Sequence, residues 1–243
     1  MKRMLLTISY DGTAYHGWQL QPNGSTVQET LQNALCKLMG VRPSVTGCSR
    51  TDAGVHAREF VCHIDCDDKF PENAFFKGLN SLLPNDIAVI GCREVNKDFH
   101  ARYNAKGKTY IYSMYTGVIN PFDERYNLHI EKMPNIDLMN KFCSGIVGEH
   151  NFEGFSSSKR TVIDTVRTVS ECAVTSDENK IHFKITANGF LYNMVRILAG
   201  TALAVGYKRL DYDCYNEVFK TGDRAKAGDT LPPHALMLEK VYY

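Results

Sequence analysis

The chain has 243 residues, 28 basic and 27 acidic side chains and a formal net charge of +1, with 44% hydrophobic and 23% charged residues. That composition excludes a disordered polyelectrolyte and fits a soluble globular protein of one large or two small domains. A charge so near zero excludes nucleic-acid binding by bulk charge, so any such contact needs a local basic surface.

The opening "MKRMLLTISYDGT" has a basic start, and its apolar run breaks at Ser9, Asp11 and Gly12. It is too short for a secretory signal and reads as a strand. In "TVQETLQNALCKLMG", Thr26 with Glu29 three residues on forms a capping-box pattern. Val27, Leu31, Ala34, Leu35 and Leu38 share one helical face, and Gly40 ends the helix. "EFVCHIDC" reads as a strand in which Phe60, Cys62 and Ile64 alternate with Val61, His63 and Asp65. "PENAFFKGLNSLLP" predicts a helix between Pro71 and Pro84 with Phe75, Leu79 and Leu82 at helical spacing, and "DIAVIGCREV" predicts another strand.

The second half runs a similar course. "KTYIYSMYTG" is a strand, and "IDLMNKFCSGIVGEHNF" contains a helix with Leu138, Phe142 and Ile146 facing inward. "VRTVSECAVTS" and "KIHFKITAN" form a hairpin across 177–179. A long apolar helix from Phe190, a shorter one from Asp211 and the strand "ALMLEKVYY" follow. The apolar stretch 190–206 falls short of a membrane span and carries Asn193 and Arg196, so a buried helix and a cytoplasmic protein with no membrane partner are expected. The eight scattered cysteines are expected to be reduced thiols. The fold expectation is α+β: two similar halves, 1–104 and 105–243, with a shared, largely antiparallel sheet flanked by helices.

Three places carry candidate chemistry. In "GCSRTDAGVHARE" (47–59), Asp52 is either a turn former or a reagent; Arg50 lies two residues before it, with Gly54 and His56 after. A guanidinium nearby keeps a carboxylate ionised, and an ionised carboxylate in a cleft is a nucleophile or a general base. In "KDFHARYNAKGKTYIYS" (97–113), Lys97, Arg102, Lys106 and Lys108 interleave with Phe99, His100, Tyr103, Tyr110 and Tyr112. That pattern suits an opened RNA, whose phosphates pair with cations and whose bases stack; it equally suits a strand with tyrosines inward and lysines outward. Arg196 sits among apolar neighbours and needs a partner, with a structural ion pair the commoner fate. Cys62, His63 and Cys66 lack the second ligand pair of a zinc site, and alternation points Cys62 and His63 to opposite faces. They read as core and surface residues, and nothing supports Cys48 as a nucleophile. No Walker, GxGxxG or GxSxG pattern occurs.

"SRTDAGVHA" (49–57), "FHARYNAKGKTYIY" (99–112), "NPF" (120–122) and "GFLYNMVRILAGTALAVG" (189–206) stand in an order and at spacings that resemble the TruA family of tRNA pseudouridine synthases, across essentially the whole chain. The resemblance implies isomerisation of uridine to pseudouridine at positions 38–40 of the tRNA anticodon arm, with no cofactor and no metal. It implies two α+β halves with a cleft between them, working as a homodimer that tRNA spans. It makes Asp52 the essential catalytic carboxylate, attacking C1′ or abstracting a ribose proton. Arg50 would help expose the target base, Tyr110 would stack on the target uracil and assist proton removal from C5, and Arg196 would pair with Asp52. Ser49 and Ala235 stand where glycine is usual in the family, leaving room for a shifted RNA target. The alternatives are a non-catalytic RNA-binding paralogue, and a zinc protein built on Cys62, His63 and Cys66.

Overall fold

The computed structural model describes residues 1–157 and 163–243. In the first half the elements are β1 (Lys2–Tyr10), α1 (Val27–Met39), β2 (Thr46–Gly47), β3 (His56–Cys66), α2 (Glu72–Leu82) and β4 (Ile87–Val95). Then come β5 (Gly107–Tyr115), α3 (Pro121–Glu124), β6 (Leu128–His129), α4 (Ile136–Gly145), β7 (Gly148–Asn151), β8 (Val166–Asp177), β9 (Lys180–Ala187), α5 (Met194–Gly206), α6 (Tyr215–Thr221) and β10 (Leu236–Tyr242). Two compact units result: Met1–Lys106 with Met237–Tyr243, and Gly107–Leu236. Each is α+β, a largely antiparallel sheet with helices packed on it.

The first unit has strand order β4-β1-β3-β10, with β2 paired on β3. β1 runs antiparallel to both neighbours, so Leu6 stands opposite Cys62 on one side and Cys92 on the other. Met4, Leu6 and Ile8 of β1 and Phe60, Cys62 and Ile64 of β3 are fully buried. Helix α1 starts where the sequence predicts: the Thr26 side chain accepts the Glu29 N–H, and Gly40 closes the helix in the left-handed conformation. Its Leu31 and Leu35, with Phe75 and Leu79 of α2, complete the core. Leu82, expected inward, is exposed because α2 ends there ahead of Pro84. The strand "ALMLEKVYY" does form, but its last seven residues leave the second half of the chain. β10 runs parallel to β3, with Met237 opposite His56 and Leu238 opposite Ala57. The Lys106 N–H also donates to the Tyr242 carbonyl at 2.8 Å. Pairing across the sheet, not proximity in sequence, therefore sets this boundary.

In the second unit β9 alternates cleanly, burying Ile181, Phe183, Ile185 and Ala187. It pairs antiparallel with β5 (Tyr112 opposite Phe183) and with β8 (Val174 opposite Phe183), the β8–β9 hairpin turning through Glu178 and Asn179 as expected. β7, beyond the helix that the sequence predicts, adds an edge on β8. Helix α4 buries Met139, Phe142 and Cys143, with Ile146 just beyond it, while Leu138 is only half-buried. Helix α5 is buried along almost its whole length but begins at Met194, four residues later than predicted. Asn193 holds a left-handed φ of 61°, which a helix interior does not accept. The shorter helix likewise begins at Tyr215, after a turn in which the Cys214 N–H donates to Asp211. None of the described helices is long and apolar enough to cross a membrane.

One expectation fails instructively. His63, read as a surface residue, is only 6% exposed. The segment between β4 and β5 folds over it, and the Ala101 N–H donates to His63 Nδ1 at 3.1 Å. Cys62 packs in the core on the other face and Cys66 is buried, so the three do not converge as ligands. Burial, with a smaller push from Arg3, lowers the His63 pKa from 6.5 to about 4. The native state therefore refuses a proton that the unfolded chain accepts. The contribution to stability is complete above pH 6.5 and is lost as the pH falls from there to about 4. We expect the urea midpoint of the wild type to fall between pH 7 and pH 5, and that of His63→Asn, which keeps an acceptor but cannot titrate, to fall less. Equal acid sensitivity in the two proteins would show that His63 is not the group responsible.

Candidate active site

The connection from β2 to β3 carries Asp52, and it has little regular structure of its own. Its shape comes from buried anchors on either side. The Cys48 N–H donates to Val61 at 2.8 Å. The Thr51 hydroxyl shares a 2.9 Å hydrogen bond with the Tyr10 hydroxyl, and the Trp18 N–H donates to the Thr51 carbonyl. The Val55 N–H donates to the Asp52 carbonyl and the Gly54 N–H to the Tyr15 carbonyl, closing a turn around Gly54. Thr51, Val55 and His56 are buried, Asp52 is half-buried, and Arg50 and Ala53 are exposed. The backbone carbonyl of Asp52 thus takes part in the turn by accepting the Val55 N–H.

Three residues that hold this loop lay unrecognised in the sequence, where Asp11 and Gly12 registered only as a break in an apolar run. Gly12 sits so close to the Val55 carbonyl that a Cβ there would overlap it. Its N–H donates to His56 Nδ1 at 3.0 Å, and His56 Nδ1 also lies 3.1 Å from Asp11 Oδ1. Asp11 Oδ1 in turn accepts the Thr13 N–H and hydroxyl at 3.0 and 2.6 Å. Gly17, at φ 85°, makes a second close approach at the Thr51 carbonyl. The available signal was the clustering of glycine and polar residues in "YDGTAYHGW", directly after the strand.

The other predicted residues lie in the second unit. Tyr110 is on β5, nearly buried, with the Phe190 ring edge-on at 5.1 Å. Two residues on, Tyr112 is fully buried and its hydroxyl donates to the Pro232 carbonyl at 2.8 Å, so it belongs to the core. Lys108 is also buried, at 8% exposure. The stretch 97–113 therefore divides, and only its part before β5 has the open basic and aromatic character the sequence suggested. On α5, Arg196 is half-buried; its Nε donates to the Leu231 carbonyl at 2.6 Å and its Nη1 to Asn193 Oδ1 at 2.8 Å. Asn193, from its left-handed position, also donates to Ser157 Oγ at 2.9 Å. The guanidinium is thus aimed by a carbonyl and an amide. Of its two expected polar neighbours Asn193 takes part, while Tyr192 is exposed.

The Gly12 contact is testable. Gly12→Ala must push the Val55 carbonyl away and is expected to destabilise the protein by about 1–3 kcal/mol, read as a lowered urea midpoint. Unchanged stability would mean that the loop is not clamped at that point.

A family model described as tRNA pseudouridine synthase matches residues 6–104 and 143–243. The chain is 42% identical over 244 residues to tRNA pseudouridine synthase A 2 of Clostridium perfringens, covering 100% of both. It is 43% identical over 245 residues to tRNA pseudouridine synthase A of Ruminiclostridium cellulolyticum and 42% identical over 244 residues to that of Clostridium kluyveri, again with 100% of each chain covered. With a family model matched on both sides of the 105–142 segment and relatives this similar from end to end, the chain belongs to the tRNA pseudouridine synthase family.

Proposed function

We propose that this chain converts uridine to pseudouridine in tRNA, at positions 38–40 of the anticodon arm, with Asp52 as the catalytic carboxylate. The observation that carries the reading is full-length similarity to tRNA pseudouridine synthases A, coupled to an aspartate held half-buried in a loop whose neighbours on both sides are anchored. A carboxylate so held needs little reorganisation before it reacts.

In this mechanism the target nucleotide leaves its stack and enters the site, and Arg50 helps expose it or fills the space it vacates. Its exposed position on the loop fits that task. The Asp52 carboxylate then attacks C1′, or removes a ribose proton to give a glycal. By either route uracil departs with the N1–C1′ bonding pair. Tyr110 stacks on the detached uracil while it turns to present C5. A C5–C1′ bond forms, the carboxylate is released or the proton returned to the ribose, and loss of the C5 proton restores the ring. Tyr110 assists that last step. Arg196 pairs with the Asp52 carboxylate and keeps it ionised, a role suited to a guanidinium already oriented by Leu231 and Asn193. The enzyme works in the cytoplasm as a homodimer, with one tRNA spanning both subunits.

Unmodified tRNA carrying tritium at uracil C5 tests the reaction directly, because isomerisation releases that label. Asp52→Asn is expected to fold and bind tRNA as the wild type does, while release falls by at least about a thousandfold. Turnover by this variant comparable to the wild type would remove Asp52 from the chemistry. Binding without release by the wild type itself would favour a non-catalytic RNA-binding protein. Mapping the product uridines checks positions 38–40.

A further inference from the structure

The turn between β4 and β5 holds an exposed aromatic ring against a hydrogen-bonded neighbour. Tyr103 is 76% exposed, yet its ring stacks on His100, with centroids 4.3 Å apart and planes 28° from parallel. His100 is itself fixed: its Nδ1 accepts the N–H groups of Arg102 and Tyr103, its own N–H donates to Asn104 Oδ1 at 2.6 Å, and its carbonyl accepts the Asn104 N–H. The turn is bolted to the sheet beneath through Ala101, which is fully buried. The Ala101 N–H reaches His63, and its carbonyl accepts the Tyr243 hydroxyl at 2.7 Å. An exposed tyrosine ordinarily keeps its rotamer freedom, and the stack on His100 restricts that freedom with no partner present.

Its surroundings are cationic. The Arg102 guanidinium lies 5.9 Å from the Tyr103 ring centre. Within 96–106 the charged residues are Lys97, Arg102 and Lys106 against Asp98 alone, an excess of two positive charges in a chain whose total is +1. Lys106 leads directly to β10, where the Lys240 ammonium lies 5.9 Å from the Tyr242 ring on the strand's solvent side. A firmly held open ring beside cations is the arrangement that takes an unstacked base on its face and a phosphate at its edge.

We infer that Tyr103, backed by His100 and flanked by Arg102 and Lys106, is a stacking platform for an unpaired nucleotide of the RNA substrate, separate from the nucleotide that reacts. The inference rests on the tRNA reading above. It gives Tyr103 a part in affinity and none in the chemical step.

The test uses the full chain and unmodified tRNA, fluorescein-labelled for binding by anisotropy and C5-tritiated for turnover. Tyr103→Ala is expected to weaken binding and raise KM by about tenfold with kcat unchanged, in line with the loss of one base stack. Tyr103→Phe, which keeps the ring, should restore both to within about twofold of wild type, since a stack needs no hydroxyl. Arg102→Ala should reduce the slope of log affinity against log salt by about 0.7–0.9, one phosphate contact. Wild-type affinity and KM in Tyr103→Ala would overturn the platform. A fall in kcat at constant KM, or a lowered melting temperature with no rescue by phenylalanine, would assign the ring a structural role and overturn it equally. Failure of the wild type to bind or modify tRNA would overturn the tRNA reading and the platform together, and the wild-type arm alone shows that case.

Discussion

A loop with few backbone hydrogen bonds of its own takes its shape from whatever it leans on, and here it leans on a glycine. Where β1 ends, Gly12 admits the Val55 carbonyl into space that any side chain would fill, and this approach brings His56 Nδ1 within reach of the Gly12 N–H. The rest of the 48–56 loop follows from that contact. The Thr51 hydroxyl meets that of Tyr10, the Gly54 N–H meets the Tyr15 carbonyl, and Asp52 stays half-buried between these two contacts. Backbone contacts and buried neighbours thus fix where the loop presents Asp52, and a group so placed needs little reorganisation.

The same economy appears at the turn over His63. A single buried alanine, offering one N–H downward and one carbonyl to Tyr243, ties an exposed segment to the sheet. The two loops depend on opposite faces of one strand's neighbourhood. β3 begins at His56, which receives the Gly12 N–H, and later presents His63 to Ala101. Both imidazoles take a backbone N–H at Nδ1. The loop that carries Asp52 and the basic turn thus each rest on a β3 histidine that meets a backbone N–H.

What was legible in the sequence was local. Thr26, Glu29 and Gly40 mark the ends of α1 because capping chemistry lies within three residues of the helix it closes. The β8–β9 hairpin reads from alternation and a short polar turn, and the strand character of β3 from its own pattern. Burial by a distant segment was not legible: nothing near His63 announces that Ala101, 38 residues later, will cover it. The helix start at Asn193 was missed because periodicity ignores a single left-handed residue. Spacing left Asp52 open between turn and reagent, and only the resemblance of the motif around it raised the expectation of a reagent; the clamp from Asp11 and Gly12, some forty residues upstream, needed coordinates. Tyr110 and Tyr112 are equivalent by pattern alone, and the structure sets Tyr112 into the core with its hydroxyl on the Pro232 carbonyl.

The return of β10 to the first unit bears on how the chain assembles as it is made. Met1–Lys106 emerges from the ribosome early, but the strand that pairs with β3 and supplies the Tyr243 hydroxyl to Ala101 lies beyond the whole of Gly107–Leu236. Until it arrives, the start of β3 at His56 and Ala57 lacks its parallel neighbour and the turn over His63 lacks the Tyr243 tie. Such long-range closure is slow because the loop entropy is lost before the contact is gained, and an open strand edge invites pairing with other chains. The second unit has no such wait, since all its strands fall within one continuous segment. The order of translation and the order of completion are thus reversed, and the unit that carries Asp52 is the last to be finished.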